Sequence, residues 1–172
     1  ALSAAFIPVL TETRQKGKDA QNLLASNVLN TLFVLVGVIT IVGILLAPLL
    51  VKIIAFGFGP IPGKFNLTVR LTAIMFPFLL FVVLAAWVMS YLNAEEEFLV
   101  PSLAPAFFNL FSILVPVLFY GWLLDRNIDP IYAMAAGVLV GGLVQFLIQL
   151  PRLYQKGFRY KFYLNLSDPN LL

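Results

Sequence analysis

Residues 20–51, AQNLLASNVLNTLFVLVGVITIVGILLAPLLV, hold no charged residue from end to end. Three further stretches, 71–94, 98–124 and 130–151, are also charge-free, and each of the four is at least 22 residues long. A helix that crosses a bilayer needs about 20 apolar residues. Four such runs in 172 residues leave room for little else. The composition agrees: 61% of residues are hydrophobic and 11% charged, against roughly 45–50% and 25% in a soluble domain. β-Strands of a membrane barrel would alternate in polarity over about ten residues. These runs are continuous and longer, so the sequence predicts an all-α integral membrane protein, a polytopic helical bundle.

The spans are expected at about 23–51, 71–93, 101–124 and 131–150. Residues 1–10 are apolar but too short to cross, since ten helical residues cover about 15 Å. They lack the basic start of a signal peptide and read as the end of a fifth helix. Residues 11–22 read as a polar loop, and Gly57, Gly59, Pro60, Pro62 and Gly63 as breakers between the first two spans. Orientation follows from Lys and Arg. Loops 11–22, 94–100 and 151–172 carry seven of the eleven, and loops 52–70 and 125–129 carry four. The richer side is expected to be cytoplasmic.

There is no Cys and no His, which removes disulfides, thiol nucleophiles, imidazole ligands and His-based acid–base chemistry from this segment. No metal site is expected. The net charge of +3 flanks spans and does not point to nucleic acid. The charge-free runs offer no proton relay or ion-coupling site.

Proline inside a spanning helix kinks it and frees carbonyls. Pro48, Pro77, Pro105 and Pro116 either set packing geometry or open a cavity that bends between transport states. Polar side chains in the spans include Asn27, Asn30, Thr31, Thr40, Asn109, Ser112, Gln145 and Gln149; they should face other helices or water. Asn109, one turn after Pro105, either lines a cavity or hydrogen-bonds another helix. Gly137 and Gly141 form a GxxxG pattern, read as close helix packing within the chain before dimerisation. Arg152, Tyr154, Lys156 and Arg159 mix cations with aromatics and read as interfacial anchors, with membrane lipids as partners, before a dedicated headgroup site. Glu95-Glu96-Glu97 reads as a solvated loop.

Ala1-Leu-Ser-Ala-Ala-Phe6-Ile-Pro8-Val-Leu resembles the end of the second helix in the MurJ (MviN) lipid II flippase family. Phe76-Pro77-Phe78, Leu92-Asn93, Phe98, Pro101 and Ala104-Pro105 through Asn109 resemble its fourth and fifth helices, and Gln149-Leu-Pro151 the end of its sixth. Order and spacing match across essentially the whole chain. The resemblance implies a place in the superfamily of multidrug, oligosaccharidyl-lipid and polysaccharide exporters. There, two six-helix lobes surround a central cavity, and this chain would be most of the first lobe. It also implies a multi-pass protein of the bacterial inner membrane, with loops 11–22, 94–100 and 151–172 cytoplasmic. The activity implied is translocation of lipid II, an undecaprenyl-pyrophosphate-linked precursor, to the periplasmic leaflet by alternating access, with the remainder of the same transporter as partner. Asn109 matches a cavity asparagine of the family. The family's cavity arginines and its coupling-cation site fall outside this chain, and no cofactor is expected within it. Export of another lipid-linked oligosaccharide or of drugs is the alternative within the superfamily. A membrane-embedded lipid-linked glycosyltransferase is the alternative from another class, but Glu95–Glu97, Asp125 and Asp129 lack the partners such an enzyme needs.

Overall fold

A computed structural model describes residues 2–58 and 61–165, with side chains from Phe6 onward. Among the described residues seven α-helices follow one another: α1 (Leu2–Gln15), α2 (Lys18–Ile54), α3 (Lys64–Met75), α4 (Pro77–Ala94), α5 (Leu99–Asp125), α6 (Ile131–Leu147) and α7 (Leu150–Gln155). Four helical stretches among the described residues are long and apolar enough to span a membrane: Lys18–Ile54, Lys64–Ala94, Leu99–Asp125 and Ile131–Gln155.

The expected loop 11–22 shrinks to Lys16-Gly17. Polar residues there mark the end of the apolar zone, not the end of the helix. α1 continues to Gln15, and on it Thr11 and Thr13 turn their hydroxyls back to the carbonyls of Ile7 and Val9. Within this turn Gly17, at φ 114°, takes a backbone conformation that side chains resist. The 37 residues of α2 span about 55 Å, well beyond a hydrocarbon core of about 30 Å. Its exposed apolar belt runs from Phe33 to Ile54, whereas Gln21, Asn22, Leu24, Ala25, Ser26, Asn27 and Val28 are buried. The first three turns therefore form a stem packed inside the bundle.

A short 3-10 turn, Phe56–Phe58, follows α2. Gly59 and Pro60 lie outside the described residues. The helix resumes at Lys64, behind Gly63 at φ 77°, earlier than the expected start near residue 71. That earlier start corrects the picture of charge-free spans: Lys64 and Arg70 are on the helix of the second span, and both are exposed. The second span is also two helices, with Pro77 as the first residue of α4. Proline is tolerated there because the first-turn N–H groups have no intrahelical acceptor. Phe76 stays helical between them, and its N–H reaches Thr72 O at 3.1 Å, so the break bends the span without severing it. Pro105 and Pro116 sit within α5, which runs unbroken.

α5 and α6 pair closely. A Cβ built on Gly137 would lie 2.8 Å from both Ser112 O and Pro116 Cδ, and one on Gly141 would lie 2.7 Å from Phe108 O. Both glycines thus sit where α5 comes nearest. The Phe78 and Phe108 rings meet beside them at 5.4 Å between centroids. Helix α6 ends at Leu147, and after a short turn α7 begins at Leu150 and completes the fourth stretch. Gln149 in that turn donates to Gln145 O at 2.9 Å and to Ala85 O at 3.4 Å, tying the turn to α4. The main core gathers Phe6, Leu10, Leu24, Val28, Trp87, Tyr91, Leu92, Leu153 and Phe158 from α1, α2, α4, α7 and the segment after it.

Candidate functional site

Among the described residues, two places bear on a candidate site. The first is an ion-pair cluster where α1, α2, the α4–α5 turn and α7 converge. Glu95 and Glu97 are only 9% and 8% exposed, which corrects the expectation of a solvated loop. Glu95 Oε1 accepts from Lys18 Nζ at 2.9 Å and from Gln21 Nε2 at 2.6 Å, and Arg14 lies 3.8 Å from Oε2. Glu97 Oε2 accepts from Arg152 Nε at 2.6 Å, with Lys156 Nζ at 3.8 Å. Glu96 between them takes φ 58°, so the turn can present its two neighbours inward. Burial pushes the Glu95 carboxyl up, but the hydrogen bonds from Lys18 and Gln21 and the charges of Lys18 and Arg14 outweigh it and hold the group below its ordinary range. The Arg152 hydrogen bond does the same for Glu97, against a smaller opposing effect of burial and with help from Arg152 and Lys156 charge and a backbone bond from Val100.

The expected anchor residues divide. Arg152 and Lys156 turn inward to the acidic turn, Lys156 also donating to Glu95 O at 3.1 Å. Arg159 donates to Phe158 O at 3.2 Å and Tyr154 O at 3.4 Å, and Tyr154 is half exposed. Beyond α7 the described chain, residues 158–165, runs back along α2. Asn22, Ser26, Asn27 and Asn30 bond its backbone. Sequence reasoning noted Asn27 and Asn30 only as polar residues within a span. The missed signal is their spacing: Asp19, Asn22, Ser26 and Asn30 recur every three or four residues, which draws one polar line along a helix. The expected loop 151–172 beyond Asn165 lies outside the described residues.

The second place is the outer face of α5. Asn109 is exposed, with Ser102, Pro105 and Ile113 on the same side, and its side chain makes no hydrogen bond among the described residues. Its backbone carbonyl accepts from Ser112 Oγ at 2.9 Å. Most of α5 is covered only by α6. The structure does not bring Asn109 together with the ion-pair cluster. Among the described residues no three acidic, His or Cys side chains gather as a metal would require.

Apolar helices of spanning length, polar turns between them and ion pairs that, among the described residues, lie at one end define a multi-pass helical membrane protein. The family model described as lipid II flippase MurJ matches residues 1–172, and the chain belongs to that family. Among curated proteins it is similar to the "Probable lipid II flippase MurJ" of Vibrio cholerae serotype O1, 36% identical over 182 residues, covering all of this chain and 34% of that protein. The "Lipid II flippase MurJ" of Burkholderia cenocepacia is 36% identical over 154 residues, covering 89% of this chain and 29% of that protein. A relative in Rhizobium meliloti, also named "Probable lipid II flippase MurJ", is 33% identical over 174 residues and covers 99% of this chain and 32% of its own length. The chain thus spans about a third of the curated relatives it matches.

Proposed function

We propose that this chain is part of the first lobe of an inner-membrane transporter that moves lipid II from the cytoplasmic to the periplasmic leaflet by alternating access. The observation that carries the reading is the family match along all 172 residues. A charged pyrophosphate headgroup cannot enter hydrocarbon at a tolerable cost, so it needs a polar path that opens to each side in turn. Helix α5, covered on one side by α6, has an open face toward which Asn109 projects. On this reading that face is cavity wall, and Pro77, Pro105 and Pro116 shape it. The turns at 16–17, 95–98 and 156–157 lie on the cytoplasmic side, as their share of basic residues supports.

Asn109 provides the test at residue level. Its exposed side chain contributes no bond to the fold, so Asn109→Ala should leave expression and thermal stability unchanged. In the full-length protein it should reduce lipid II at the outer leaflet and impair rescue of cells depleted of their own flippase. Full rescue would remove Asn109 from the cavity. Unchanged lipid II translocation after depletion of the full-length protein, in cells with no redundant flippase, would sink the transport reading and favour a sister exporter of another lipid-linked sugar.

A further inference from the structure

Residues 158–165 form neither helix nor strand, yet their backbone is not left to solvent. Asn22 Nδ2 donates to Gly157 O at 3.3 Å, and Ser26 Oγ accepts from Lys161 N at 3.0 Å. Asn30 Nδ2 donates to Tyr163 O at 2.8 Å. Asn27 handles both groups of one peptide residue, donating to Asn165 O at 3.0 Å and accepting from Asn165 N at 2.7 Å. Five backbone groups that an extended chain would usually pair with a neighbouring strand are met by one face of α2. Three side-chain contacts add to this. Phe158 is buried edge-on against Trp87 and Tyr91, with centroids 5.3 and 5.4 Å away. Tyr160 donates to Asn30 Oδ1 at 3.0 Å, and Lys161 pairs with Asp19 at 2.8 Å.

We propose that residues 157–165 are a strap that stays on this α2 face throughout the transport cycle, so that the bending which accompanies transport falls outside 157–165. The proposal rests on the alternating-access reading above. Its physical basis is what release would leave behind. Peeling the strap away strips Asn22, Ser26, Asn27 and Asn30 of their partners on a helix whose exposed apolar belt begins at Phe33, three residues after Asn30. Unpaired amides next to lipid are costly. Release also opens the aromatic pocket of Phe158. A segment held by its backbone and by a buried ring moves with the body that holds it.

Two experiments on the full-length protein test this. The chain has no Cys, so Asp19→Cys and Lys161→Cys can be introduced together, in a background lacking any other Cys, at a peripheral pair that leaves the amide contacts intact. Bridging them with a short bis-methanethiosulfonate, which joins each thiol through a reducible disulfide and releases methanesulfinate, fixes the strap on α2. Lipid II at the outer leaflet should be the same with and without the bridge. Loss of transport on bridging, restored by reduction, would show that the strap must leave and would overturn the proposal. Hydrogen exchange supplies an independent arm. Asn27→Ala, and separately Asn30→Ala, should speed exchange at residues 158–165 by at least about tenfold while α6 keeps its protection. Unaltered exchange at 158–165 in both variants would remove the α2 face from its role. If neither the wild type nor the unbridged double variant moves lipid II, the transport reading is what falls, and exchange alone decides whether the strap is held.

Discussion

Glu95 and Glu97 stand two positions apart in one turn and divide their work: Glu95 holds α2 through Lys18 and Gln21, and Glu97 holds α7 through Arg152. Both carboxyls are depressed from their ordinary value of 4.5. A carboxyl depressed in the folded state stabilises it above the unfolded value, and that contribution disappears as pH falls through the folded value. Thermal stability of the purified full-length protein should therefore drop as pH is lowered from neutral past 4.5, and the double variant Glu95→Gln/Glu97→Gln should flatten that acid limb while lowering stability at neutral pH. An acid limb of unchanged slope would show that these two groups do not set it. The importance of this turn was not legible from residue types. Three glutamates in a row look like a hydrated loop, and their partners come from positions 14–21 and 152–156, which local sequence does not connect. Asn109 stands out in the sequence because an amide within an apolar helix is conspicuous wherever it points; its place in a cavity is the proposal made above.

At the level of helices, the glycines of α6 make a sharp contrast with those that touch nothing. A methyl group at Gly137 or Gly141 would meet α5 backbone at 2.8 or 2.7 Å, whereas at Gly37 nothing lies within 4 Å. Gly137→Ala and Gly141→Ala should each destabilise by about 1–3 kcal/mol, the usual range for overpacking. Gly37→Ala should be neutral or stabilise by up to about 1 kcal/mol, because alanine favours the helix. Thermal or denaturant unfolding in detergent reads both, and equal effects at the three sites would contradict the close α5–α6 approach. The number and order of the spans could be read from hydropathy, since lipid demands long apolar helices. Their ends could not. Thr11 to Gln15 and Lys18 to Asn22 are polar yet helical, because a helix outlasts the hydrocarbon when something packs against its extension. Phe76-Pro77 hides a division that hydropathy passes over without a change.

Across the whole molecule, ion pairs collect the turns at 16–17 and 95–97 and the stretch 152–161 at one end. If that end is cytoplasmic, a membrane-impermeant maleimide applied to intact cells should label Asn127→Cys and leave Glu96→Cys unlabelled until the membrane is opened. The reverse pattern would invert the orientation. The bias in Lys and Arg is what proposes this side as cytoplasmic, and it gave no hint that Arg152 and Lys156 would pair with the acidic turn. Their inward turn has a consequence in time. Glu97 is synthesised 55 residues before Arg152, an interval of about 3–11 s at ribosomal speeds of roughly 5–20 residues per second. Throughout it, the acidic turn has no cation from α7 to neutralise it. Glu95 can already meet Lys18 and Gln21, made before it, so of the two carboxylates only Glu97 waits for the segment that completes this end.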